Sequence, residues 1–150
     1  MSTASDSINN APKVAVIPLL AALVALVGLV DSIYLTVEHY RGELPPCTIV
    51  QGCELVLTSA WSEIYGIPLA AFGALAYFAA FSLALLAGCG RRALWPVFGI
   101  QVILMSLFTV WLLYLQAYVI GVFCQFCLLS AATTFALFIL FVVSKLFRAK

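Results

Sequence analysis

Charge is what this chain has least of. Its 150 residues include seven basic and six acidic side chains, 9% charged in all, against 65% hydrophobic, with a mean hydropathy of +1.18. A soluble domain carries about 25% charged and about 45–50% apolar residues, so this chain has too little polar surface to cover itself in water. The shortage excludes a disordered chain and a small disulfide-stapled secreted domain. A net charge of +1 without a basic cluster also argues against nucleic-acid binding. Histidine is nearly absent too: His39 stands alone, so imidazole-based catalysis and multi-histidine metal sites have almost no material. The chain belongs in a bilayer.

A spanning helix needs roughly 20 mostly apolar residues. The first run goes from Val14 to Val30 and continues past Asp31 through Val37; the second goes from Ile64 to Gly90, with Pro68 expected in its first turn. Ala93 to Ser144 carries no charge at all and would measure roughly 78 Å as one helix, so it must fold back. Gln116, Gly121 and Gln125 interrupt it, which predicts spans near 95–116 and 124–144. The expected fold is therefore all-α, a bundle of four transmembrane helices with a long extracytoplasmic loop between helices 1 and 2. Residues 1–12 are expected to form a cytoplasmic tail and 13–150 a single integral-membrane domain. A cleaved signal peptide is the alternative for the first run, but it is too long, and Glu38-His39-Tyr40-Arg41 is no small-residue cleavage site.

Basic residues in short loops mark the cytoplasmic side. Lys13, Arg91, Arg92, Lys145, Arg148 and Lys150 all fall on one side of the predicted topology. Arg41, the exception, sits in the first loop with Glu38, Glu43, Glu54 and Glu63. Both termini are thus expected in the cytoplasm, with the first loop on the outer side of the membrane.

That topology sorts the five cysteines. Cys47 and Cys53 lie in the outer loop, Cys124 and Cys127 at the outer end of the fourth span, and Cys89 on the cytoplasmic side. Two close pairs at one oxidising face point to thiol–disulfide chemistry, with Cys89 a bystander. Cys124-Gln125-Phe126-Cys127 is a C-x-x-C. At the start of a helix, its first sulfur lies near unpaired N–H groups that stabilise a thiolate. Zinc sites share this spacing, and Cys47 and Cys53 would complete a ligand set. Haem attachment would need His where Leu128 stands. The Cys47/Cys53 pair, in a loop anchored by Pro45-Pro46, can either staple that loop or shuttle electrons between a soluble partner and the deeper pair. Asp31 is costly in a membrane and so a functional candidate, although interfacial water could also satisfy it. His39 is expected to be solvated among acids.

The ordered set resembles the prokaryotic vitamin K epoxide reductase family. It comprises Tyr34-Leu35-Thr36-Val37-Glu38-His39, the Cys47/Cys53 pair, Ser59, Tyr65-Gly66-Ile67-Pro68-Leu69 and Phe123-Cys124-Gln125-Phe126-Cys127, and covers about residues 14–147. The resemblance implies a four-helix bundle around a quinone. Cys124 and Cys127 would be the active pair that reduces it, and Cys47 and Cys53 would relay electrons from a thioredoxin-fold, DsbA-like protein. Ser59 would be a polar contact of the quinone, its alternative role being the N-cap of a helix starting at Ala60. Leu57, Trp61, Phe123, Phe126 and Leu128 are candidates for the apolar wall. Menaquinone, ubiquinone and phylloquinone all remain open.

Ala131 stands four residues after Cys127, where animal members have Tyr, which argues against vitamin K epoxide as substrate. The chain ends at Arg148-Ala149-Lys150 without the thioredoxin-like domain fused to many prokaryotic relatives, so the donor is expected to be a separate polypeptide. The rivals are a DsbB-type quinone-linked disulfide generator, in which the C-x-x-C occupies the first outer loop, and a non-catalytic or zinc-binding bundle.

Overall fold

The computed structural model describes residues 3–150, with side chains from Val16 onward. Helix α1 spans Thr3–Arg41, α3 Leu69–Gly88, α4 Trp95–Tyr114 and α5 Gln125–Ala149; a short α2, Cys53–Leu57, and a two-stranded hairpin, β1 Glu63–Ile64 and β2 Ile67–Pro68, lie between α1 and α3. Among the described residues, the four long helices are each long and apolar enough to cross a membrane. The expected tail, residues 1–12, lies wholly outside the residues whose side chains are described; its backbone joins α1 from Thr3.

The bundle packs through small residues. Ala21, Ala22 and Ala25 of α1 are buried with Ala80 and Ala84 of α3, so the two backbones approach closely, as in membrane bundles where packing rather than water exclusion drives association. Gly28 lies against the Tyr77 ring, which would occupy the place of any added Cβ. The Tyr77 hydroxyl donates to the Ser130 carbonyl at 2.6 Å and accepts from the Thr134 hydroxyl at 2.7 Å, tying α3 to α5 through otherwise costly buried polar groups. At the other end of the bundle, Trp95 stacks on Phe98 with ring centroids 4.6 Å apart, and its Nε1 donates to Ser144 Oγ at 2.8 Å. Leu23, Val30, Leu75, Ile100, Leu104 and Leu107 point outward and are exposed. Lipid, not water, suits that surface.

Two boundaries differ from expectation. The run from Ile64 is not helical at its start: Tyr65 and Gly66 both take positive φ, at 52° and 78°, and turn the chain so that Glu63 pairs with Pro68 and Ile64 with Ile67. A two-residue turn with both residues left-handed is the twist-matched hairpin connection, and Gly66 makes it inexpensive. Pro68 is consequently the extended residue preceding α3 rather than part of its first turn. The second difference lies at the end of α4, which passes into a π-helical segment, Leu115–Ile120. Gly121, at φ 79°, then reverses the chain into α5 within the stretch where the fold-back is expected.

Candidate functional site

The site lies where the C-terminal ends of α1 and the π segment meet the start of α5. Cys124 is the N-cap of α5, with extended backbone at φ −101° and ψ 128°, and its carbonyl accepts from Leu128 N at 2.9 Å. Its own N–H donates to Gln116 Oε1 at 3.1 Å. The wider π turn brings Gln116, otherwise an uncomfortable buried amide, to this position.

The segment 42–68 is fastened onto this helix start. Gln51 forms an antiparallel backbone bridge with Cys124. Gln125 Oε1 accepts from both Thr48 N at 3.2 Å and Ile49 N at 3.0 Å, so the first of the two residues between Cys124 and Cys127 holds the turn between the other two cysteines. Gly52 sits so close to Phe123 that a Cβ would meet the Phe123 carbonyl. Its φ of −107° is ordinary, so it is the close approach that requires glycine here.

Cys47 and Cys53 are disulfide-bonded, with Cα atoms 6.2 Å apart. Cys124 and Cys127 are free thiols. Cys53 and Cys124 are buried together in one apolar cluster with Val56, against which Cys47 and Cys127 pack. Cys47 is the more accessible member of its pair. Cys89 is exposed at the end of α3, among the turn residues at the opposite end of the bundle.

Hydrogen bonding from the Cys127 thiol, with further help from the Cys127 and Phe126 N–H groups, lowers the Cys124 pKa to about 7; burial and the charge of Asp31 oppose the shift. Cys124 is therefore the nucleophile-ready sulfur and the better leaving group.

Beside the cysteines lies a cavity of about 500 Å³, within the range of small-molecule sites. Cys127 lines it and Cys124 does not. Of the residues proposed for the apolar wall and its polar contact, Leu57, Ser59 and Trp61 line it, whereas Phe123, Phe126 and Leu128 do not. Helix geometry explains the split. At about 100° per residue, Phe126 and Leu128 point to either side of Cys127, while Ser130, three residues on, returns to the cavity face. Phe126 packs instead on Tyr34, with ring centroids 5.6 Å apart, and Phe123 lies partly exposed beside the Gly52 approach.

Ser59 donates its hydroxyl proton to Val56 O at 2.7 Å, closing the end of α2; no helix begins at Ala60. His39 is not simply solvated: its Nε2 lies 3.2 Å from Glu63 Oε1, linking the end of α1 to β1 at the cavity wall. Asp31 is buried and lines the cavity, and its Oδ2 has no hydrogen-bond partner among the described residues.

A family model described as vitamin K epoxide reductase family matches residues 19–142. The chain belongs to that family. As a member of the vitamin K epoxide reductase family it is a membrane thiol oxidoreductase, and the disulfide and the nearby thiols supply the chemistry such an activity needs. Among the described residues, no group of three or more His, Cys, Asp or Glu side chains is arranged to hold a metal ion.

Gln116 and Ser130 of this vitamin K epoxide reductase relative were missed as site residues from sequence. In the sequence Gln116 interrupts an apolar run, and a polar side chain at membrane depth is itself a signal of function.

Proposed function

We propose that the protein passes electrons from a reduced thioredoxin-fold donor through Cys47/Cys53 to Cys124/Cys127 and on to a quinone, generating disulfides for proteins folding outside the cytoplasm. The observation that carries this reading is the fastening of the disulfide-bearing segment onto the C-x-x-C, by the Gln51 bridge and the Gln125 clamp, while Cys127 faces a separate cavity.

Accessibility supports an order of exchange. A donor thiolate attacks Cys47, the accessible sulfur, and releases Cys53 as thiolate. Cys53 then attacks Cys124 of an oxidised C-x-x-C within the shared cluster, and Cys127 leaves as thiolate. The donor's second thiol resolves the donor–Cys47 bond, so that the donor leaves as its own disulfide and Cys47 is freed as thiolate; Cys47 then resolves the Cys53–Cys124 bond, re-forming the Cys47–Cys53 disulfide and freeing Cys124. The result is an oxidised outer pair and a reduced inner pair, the redox state of this structure. The lowered pKa of Cys124 favours its departure in the last exchange.

The cavity fits a quinone headgroup in size and character: Leu57 and Trp61 contribute apolar wall, and Asp31 Oδ2 is an unsatisfied polar atom there. Ser59, whose proton is engaged by Val56 O, would contribute an acceptor rather than a donor. A bound quinone would supply a two-electron, two-proton acceptor. Gln116 and Ser130 line the same wall, and Gln116 Oε1 holds the Cys124 N–H.

The positive-inside rule supports an orientation with both termini in the cytoplasm of a bacterial inner membrane. Arg92 and Arg148 line one small pocket with Pro18 at the bundle end away from the two cysteine pairs. The active site would then face the extracytoplasmic side. A Cys53→Ala variant tests the route: transfer from a thioredoxin-fold donor is expected to be abolished while quinone reduction by a small dithiol persists. Donor-driven reduction at the normal rate would contradict the order given.

A further inference from the structure

The proposed reaction moves two protons as well as two electrons, and of the ionisable groups on the cavity wall besides the Cys127 thiol, Glu43 and Glu63 are exposed, His39 is half-buried and Asp31 is buried. Thr58, Ser59 and Ser62 line the cavity, but each donates its hydroxyl proton to a backbone carbonyl: Thr58 to Glu54 O, Ser59 to Val56 O and Ser62 to Ser59 O, at 2.6–2.7 Å. The chain's one imidazole, His39, lies 3.2 Å from Glu63. Asp31 differs from all of these. It is 7% exposed, it lines the same cavity as Cys127, and its Oδ2 meets no donor. It sits ten residues before the end of α1, roughly 15 Å along the helix axis. A buried oxygen without a partner needs an explanation, and at membrane depth the default one is function.

We propose that Asp31 is the proton carrier of this cavity, taking the proton released by Cys127 as the dithiol is oxidised and passing it to an oxygen of the quinone being reduced. The inference rests on the proposed quinone reduction. In balance, Cys124 and Cys127 together lose two electrons and two protons as their S–S bond forms, and the quinone gains both. Asp31 accepts one proton and releases one and is unchanged at the end; the second proton exchanges with water. The titratable groups around Asp31 are the Cys124 and Cys127 thiols at the start of α5, both within reach of its charge, with His39, Glu43 and Glu63 elsewhere on the cavity wall. From α3 and the π segment, only uncharged residues line the cavity.

The test compares wild type with Asp31→Asn, which keeps the side chain's shape and removes its titratable proton, using a small dithiol and a short-chain quinone. Three results are expected. Turnover falls about 10²–10³-fold, the usual scale of a lost acid–base group. Quinone affinity, followed by quenching of tryptophan fluorescence, changes less than about two-fold, separating transfer from binding. An infrared difference spectrum taken as the dithiol is oxidised contains a carboxyl band that the variant lacks.

Turnover within about three-fold of wild type with an unchanged pH profile would overturn the proposal. So would a loss confined to quinone affinity, or a wild-type spectrum without a carboxyl band. If Asp31→Asn does not fold, the wild-type spectrum, recorded with a thiol oxidant across the neutral pH range, decides the matter alone. Failure of the wild-type protein to reduce any quinone would instead sink the proposed function, and the infrared band would still report on proton uptake by Asp31.

Discussion

Cys124 is the residue on which the chemistry turns, because it must be both a target for Cys53 and one end of the dithiol beside the cavity. Its pKa, near 7, is held there first by the Cys127 thiol. Below that value the sulfur is protonated and unreactive; above it, it is a thiolate. In a Cys89→Ala background, the ultraviolet thiolate absorbance of the reduced protein should therefore rise through about pH 7. Adding Cys127→Ala should move that midpoint upward toward the ordinary thiol range. A midpoint that does not respond to Cys127 would contradict the assigned cause. Cys89→Ala itself should leave donor-driven activity unchanged, since Cys89 is exposed at the far end of α3.

At the scale of elements, function depends on how the 42–68 segment is held against α5. Gln125 contributes two hydrogen bonds through one oxygen, each worth about 0.5–1.5 kcal/mol where it is not replaced by water. Gly52 permits the close approach to Phe123. Gly52→Ala should cost about 1–3 kcal/mol through overpacking. It should slow donor-driven transfer far more than quinone reduction by a small dithiol, measured side by side in the same membranes. Equal slowing of both rates would mean that this contact does not serve the exchange.

These contacts also mark what the sequence could and could not disclose. The C-x-x-C and its place at a helix start are legible from spacing and hydropathy. The Gln125 clamp is not, because it joins positions 76 and 77 residues apart. The hairpin at 63–68 was hidden because Ile64 and Ile67 extend the apolar run of α3, while Tyr65-Gly66 gave the only local turn signal. Phe126 and Leu128 were assigned to the cavity because they flank Cys127 in sequence, but on a helix immediate neighbours point elsewhere.

For the whole molecule, composition alone indicates a membrane chain, and the four apolar helices with their outward-facing leucines and isoleucines bear this out. The asymmetry of charge supports an orientation: topology reporters fused after Lys150 should read cytoplasmic, and a reporter inserted at Gly42, an exposed residue at positive φ, should read extracytoplasmic. The opposite pattern would put the cysteines on the reducing side and remove the basis for disulfide generation.

The most direct test of the account is whether the two cysteine pairs exchange. With Cys47 and Cys127 both changed to Ala, Cys53 and Cys124 lose their ordinary partners while remaining in one buried cluster. Mild oxidation in membranes followed by non-reducing peptide mass spectrometry should then yield a single intramolecular Cys53–Cys124 disulfide. Recovery of both cysteines as free thiols, or only bridges between separate chains, would contradict the account.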